Sequence, residues 1–165
     1  MPTKQTIEAA KRDKREGKSP STQAGEFVKA EMDKIRKGEH GARSAKQAVA
    51  IGLSEARRAG VELKPPAKGK TSENTRKNAQ REYEKGQRHE PVNPTRSRAR
   101  IKALKKESTE AASPKALSRQ STTAAKQRSS SDRSRSAKQA ARTKGPQERS
   151  AASRKAARTR AQRGH

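Results

Sequence analysis

Hydrophobic positions recur at helical spacing over one stretch of this chain and almost nowhere else. Val28, Met32 and Ile35 stand at i, i+4 and i+7 with Phe27 beside them, behind a Ser19-Pro20 start signal and ahead of Gly38, so a helix is predicted between Pro20 and Gly38. A second helix is marked at both ends: Ser44 and Gln47 form an S-x-x-Q capping box, and Gly60 occupies the stop position. On a helical wheel Ala45, Ala48, Val49, Gly52, Leu53, Ala56 and Ala59 share one arc of about 140°. Small residues on that stripe allow the first helix to approach closely, with Val61 and Leu63 closing the end and Pro65-Pro66 terminating the pair.

Outside this pair the apolar pattern fades. Residues 1–18 read as a charged N-terminal segment with a helix around Thr6 to Glu16, stopped by Gly17. Beyond Pro66, Ser72 caps a helix to about Lys85 that carries Tyr83, Asn93-Pro94 opens another through Lys106, and Ser113-Pro114 opens a third. Each has too few apolar residues to pack alone. The organisation predicted is a helix-loop-helix module over 19–64, a linker with short helices over 65–110, and a basic Ala/Ser/Arg/Lys-rich tail over 111–165. In the tail RSAKQAART (Arg135 to Thr143) returns as SRKAART (Ser153 to Thr159), and RSAKQA also stands at Arg43 to Ala48.

Composition supports the same division. Leu, Ile and Val number four each and Phe one in 165 residues, far below the roughly 20% at which highly charged chains hold a core. Ala supplies 27 residues, and a buried methyl recovers little at roughly 25 cal/mol per Å², although Ala favours helix without demanding burial. The fold class expected is therefore mostly α and disordered: a small helical module followed by a low-complexity tail that is disordered when free and gains short helices on a partner.

Charge identifies the kind of partner. The chain has 43 Lys and Arg against 17 Asp and Glu, a formal net charge of +26, and residues 111–165 hold 15 bases against two acids, Asp132 and Glu148. A mixed-charge front with a basic tail is the footprint of a nucleic-acid binder. The longest apolar run, AVAIGL from Ala48 to Leu53, is too short to span a bilayer, and Glu8, Asp13 and Glu16 stand where a signal peptide would be apolar. With no cysteine, there is no disulfide framework, thiolate metal site or thiol nucleophile, which fits a reducing cytosol. His40, His89 and His165 are isolated and read as solvated loop histidines. Gly38 and Gly41 lack the G-K-[ST] continuation of a phosphate loop, so neither enzyme chemistry nor a cofactor or metal is expected.

The sharpest local feature is the second helix's polar face, where Arg43, Lys46, Gln47, Ser54, Arg57 and Arg58 fall together with no acid among them. Laid on DNA, its cations would meet phosphates and Gln47 and Ser54 base edges. The loop from Gly38 to Arg43 is longer than a helix-turn-helix turn, which argues against sequence-specific docking. In the tail the repeated unit offers Lys138, Arg142, Arg154, Lys155, Arg158 and Arg160 as further phosphate contacts. Only Phe27 and Tyr83 are aromatic, so base stacking is almost unavailable and double-stranded DNA is favoured over RNA. RSSSDRSRS at Arg128 to Ser136 resembles the Arg-Ser segments of RNA-processing proteins and keeps RNA open as a partner.

The stretch KGEHGARSAKQAVAIGLSEARRAGVELKPP resembles the core of a family of small, basic bacterial proteins of unknown function, and the preceding TIEAAKRDKREGKSPSTQAGEFVKAEMDKIRKG is similar to what precedes it there. This resemblance implies a bacterial cytoplasmic origin and no particular activity. The tail is similar in composition to linker-histone tails and bacterial histone-like proteins. Together these readings point to a nucleoid-type DNA-binding protein; a stress-protective hydrophilic protein and an RNA- or ribosome-associated protein are the alternatives.

Overall fold

Each of the first four helices begins on a hydroxyl cap and ends on a residue of left-handed backbone conformation. In the computed structural model, which describes residues 2–143 and 145–163, these are α1 (Lys4–Arg15), α2 (Pro20–Arg36), α3 (Ala45–Arg58) and α4 (Glu73–Gln87). The caps are Thr3, Ser19, Ser44 and Ser72, whose side-chain oxygens accept from the backbone N–H three residues on. The stops are Gly17, Gly38, Gly60 and, without the freedom of glycine, His89 at φ 53°. At Gly60 the turn carries the chain into the core: Gly60 N–H donates to the Arg57 carbonyl and Val61 N–H to that of Ala56, which delivers Val61 to a buried position against Ala56.

Further along come α5 (Pro94–Leu104), a 3-10 turn at Thr109–Ala112, α6 (Pro114–Lys126), α7 (Ser130–Thr143) and α8 (Pro146–Arg163). No strand occurs among the described residues, and no helix among them is long and apolar enough to cross a membrane. The chain divides into two units, Met1–Gln120 and Ser121–His165.

The first unit is built on the α2–α3 pair that the hydrophobic pattern predicts. Phe27 is the centre of one apolar cluster, with Ala10, Ala24, Ala56 and Val61 buried beside it and Ile7, Leu53 and Leu63 at its edge. Ile35 is the centre of the other, with Met32, Ala42, Ala48, Ala111 and Ala112. Fully burying a side chain of the size of Phe27 or Ile35 is worth about 1.5–3 kcal/mol, so two such anchors sit where α2 and α3 face each other.

The unit extends beyond this pair in two directions. Upstream, α1 packs on α2 through Ala10 and Ile7. Downstream, α4 packs on α3, although its helix is too poor in large apolar residues to suggest it. Its buried residues are Ala79 and Gly86, and a β-carbon on Gly86 would collide with the Arg57 carbonyl, so contact is made backbone to backbone. The chain then returns: Gly41 N–H donates to the Leu104 carbonyl at 2.9 Å, Ala42 N–H to that of Ser108 at 3.0 Å, and Arg36 Nε to that of Ala112 at 3.1 Å.

The described residues beyond Ala112 differ from the expectation of a disordered tail, because α6 to α8 are helical. Beyond Ala112 none of the described residues is buried. A shortage of core formers limits packing to contacts such as that of Leu117 with the Ile35 cluster, but it does not rule out helix. The segments are rich in Ala, Arg, Lys and Gln, all strong helix formers, and Ser129 caps α7 by accepting from Asp132 N–H at 3.1 Å.

Candidate nucleic-acid interface

The polar face of α3 is not one free surface. At its start the capping box is closed from both sides: Ser44 accepts from Gln47 N–H at 3.2 Å and Gln47 Oε1 accepts from Arg43 N–H at 2.7 Å, which takes the Gln47 amide oxygen away from any base edge. Arg43 and Lys46 are exposed, with Arg43 Nε 3.9 Å from Glu107, and Ser54 is half-buried. Arg57 is only 7% exposed; its Nε donates to the Leu63 carbonyl at 3.1 Å and fastens the chain after Gly60 back onto the helix. Burial pulls the Arg57 pKa down while the Glu82 charge opposes the shift. Arg58 is half-buried and paired with Glu82 of α4 at 3.0 Å. The arc read from the wheel thus separates into an exposed start, Arg43 and Lys46, and an end covered by α4.

Beneath α3 lies a buried cluster of charge. Lys34 of α2 reaches Glu31 at 3.6 Å and Glu55 of α3 at 3.4 Å, and His40 Nε2 lies 3.6 Å from Glu31 Oε1. His40 is therefore a packed residue of the interhelical loop, not a solvated one; the long Glu31 side chain extends to meet it. Glu31 is 1% exposed and its Oε1 accepts no hydrogen bond. Burial, together with the neighbouring Glu55 charge, pushes the Glu31 carboxyl above the usual carboxylate range, while His40 and Lys34 oppose the shift. His89 is exposed, and His165 lies outside the described residues. Among the described residues no group of three or more His, Cys, Asp or Glu is placed to hold a metal ion.

The acids of α1 to α4 are largely occupied by neighbouring bases, as in Lys18–Asp13 at 2.7 Å, Lys14–Glu62 at 2.8 Å and Arg76–Glu73 at 2.6 Å. Excess positive charge is left elsewhere. Residues 91–106 carry six bases, Arg96, Arg98, Arg100, Lys102, Lys105 and Lys106, and no acid. All six are exposed, and none pairs with an acid among the described residues. The amphipathic pattern of α3 does not point to this stretch, although its unbroken run of basic charge is visible in the sequence. In the second unit Lys138 and Arg142 of α7 and Arg154, Lys155, Arg158 and Arg160 of α8 are all exposed, and an acid-base pair joins Arg135 to Asp132 at 3.6 Å.

Residues 3–68, which span α1 to α3, match the model of a family of unknown function (DUF6496). No curated protein and no solved structure matches the chain.

Proposed function

We propose that this chain is a nucleoid-type DNA-binding protein of the bacterial cytoplasm that holds double-stranded DNA mainly through its phosphates and with little sequence preference. The observation that carries this reading is the segregation of charge: acids of α1 to α4 are largely taken up by neighbouring bases, while α5 has no acid and α7 and α8 one each, so that their described bases stand exposed and mostly unmatched. Unmatched cations on helices meet a polyanion with gain of counterion entropy, a term independent of sequence. Burial of Phe27 removes one of the two aromatics from base stacking and leaves the half-buried Tyr83, which supports a duplex over single-stranded RNA.

Replacing Lys138, Arg142, Arg154, Lys155, Arg158 and Arg160 with Gln in the full chain provides the test. Helix content should be kept, because none of these side chains is buried. The log-log salt slope of duplex binding should flatten by about five, at about 0.9 for each phosphate no longer neutralised. Equal affinity and slope in both proteins would remove the second unit from the interface.

A further inference from the structure

Helix α5 has a cross-section unlike the others. At about 100° per residue, Thr95, Ala99 and Ala103 form an outward ridge; Arg96 and Arg100 flank it on one side, Arg98 and Lys102 on the other, each about 60° to 100° from Ala99. All seven are exposed. On the opposite side Ser97 and Ile101 are half-buried and Leu104 is buried at 7% exposure. Two rows of unpaired cations therefore border a strip of methyl groups on a helix that is held at its end and otherwise exposed.

The helix is also pre-formed. Asn93 Oδ1 accepts from Arg96 N–H at 3.0 Å, Pro94 occupies the first helical position, and the Leu104 carbonyl is fixed by Gly41 N–H at 2.9 Å. Ordering it on a ligand costs little.

We propose that α5 is the element of the first unit that enters the major groove of duplex DNA, with Arg96 and Arg100 on the phosphates of one wall, Arg98 and Lys102 on those of the other, and Ala99 and Ala103 toward the floor. Charge complementarity identifies the occupant as a polyanion with two charged walls. The major groove of B-DNA is about 12 Å wide and admits a helix, the more easily when small residues face its floor. The deep, narrow major groove of duplex RNA does not. Methyl groups at the floor offer contact with thymine methyls and no hydrogen-bond code, which gives grip without strong sequence choice. This proposal rests on the DNA-binding reading above.

Guanine N7 lies in the major groove, so its methylation by dimethyl sulfate on a short duplex reports occupancy directly. Saturating full-length protein should lower N7 methylation. Ala99→Glu with Ala103→Glu, which places carboxylates on the ridge, should restore methylation while the second unit still binds the duplex. Replacing Arg96, Arg98, Arg100 and Lys102 with Gln should flatten the salt slope by between three and four, at about 0.9 per phosphate. Duplex binding by the wild-type chain with full N7 methylation, or protection unchanged in both variants, would overturn the groove proposal alone. Absence of duplex binding by the wild-type chain would overturn the underlying reading as well.

Discussion

Gly52 of α3 lies directly against the backbone of Val28 of α2: a β-carbon at Gly52 would stand 2.7 Å from Val28 Cα and 2.9 Å from its nitrogen. Both obstacles are main-chain atoms, so relief requires the helices to separate. Gly52→Val should destabilise the first unit by about 2–3 kcal/mol, the upper part of the range for overpacking, read by urea unfolding followed by circular dichroism. Unchanged stability would mean that α2 and α3 do not cross at this point.

Arg57 and Lys46 stand on the same polar face in the sequence and have opposite fates in the fold. Arg57→Ala removes the donor to the Leu63 carbonyl and should cost about 1–3 kcal/mol. Lys46→Ala, at an exposed position, should stay within about 0.5 kcal/mol of the parent. Equal midpoints in thermal unfolding of the two variants would contradict the structural role of Arg57.

The boundaries of α2 and α3 are legible in the sequence because Ser19-Pro20, Gly38, Ser44 and Gly60 are local signals, and their shared core is legible because Val28, Met32 and Ile35 repeat at helical spacing, with Phe27 beside them, opposite a stripe of small residues. The packing of α4 is not. Gly86 reaches the Arg57 carbonyl by lacking a side chain, and a contact between backbones leaves no apolar pattern. Nor is the return of residues 104–112, where backbone hydrogen bonds to Gly41 and Ala42 and the small side chains of Ala111 and Ala112 complete the core around Ile35. Nor is the burial of Arg57, whose guanidinium is taken up by the Leu53 and Leu63 carbonyls where the chain after Gly60 folds back onto α3. The helical tail escapes a reading based on core formers for a different reason: a chain without them can still be helical where Ala, Arg and Lys dominate.

Glu31 sets a pH dependence. Its carboxyl is buried beside Glu55, with Lys34 and His40 facing it, and its pKa in the folded chain lies above the ordinary 4.5. From that value upward to the raised one, the folded chain binds more protons than the unfolded chain, so stability falls as pH rises through the window. Glu62 and Glu73 are held low by hydrogen bonds from Lys14 and Arg76, and their support is lost only as pH falls below the ordinary value. Glu31→Gln should therefore raise the melting temperature at pH 7 and flatten its fall with pH above 4.5. A lower melting temperature at pH 7 would show that the charged Glu31 stabilises the fold through Lys34.

His89 ends α4 with its backbone in the left-handed region at φ 53°, where glycine ends the three helices before it. An L-residue there costs about 1–2 kcal/mol. After the greater chain entropy of glycine is offset, His89→Gly should stabilise the chain by about 0.5–1 kcal/mol, a rise of about 2–4 °C in a calorimetric scan. A fall would mean that the His89 ring, 3.7 Å from where a β-carbon on Gly60 would lie, contributes more by contact than its backbone costs.

The salt dependence of duplex binding by the full chain shows whether its exposed cations neutralise DNA phosphates. If exposed cations of α5, α7 and α8 meet about ten phosphates, the affinity plotted against salt on logarithmic axes should have a slope near −9 for duplex DNA, with similar values for duplexes of unrelated sequence. No binding at about 50 mM salt, or a slope shallower than about −2, would contradict a phosphate-neutralising role for these helices.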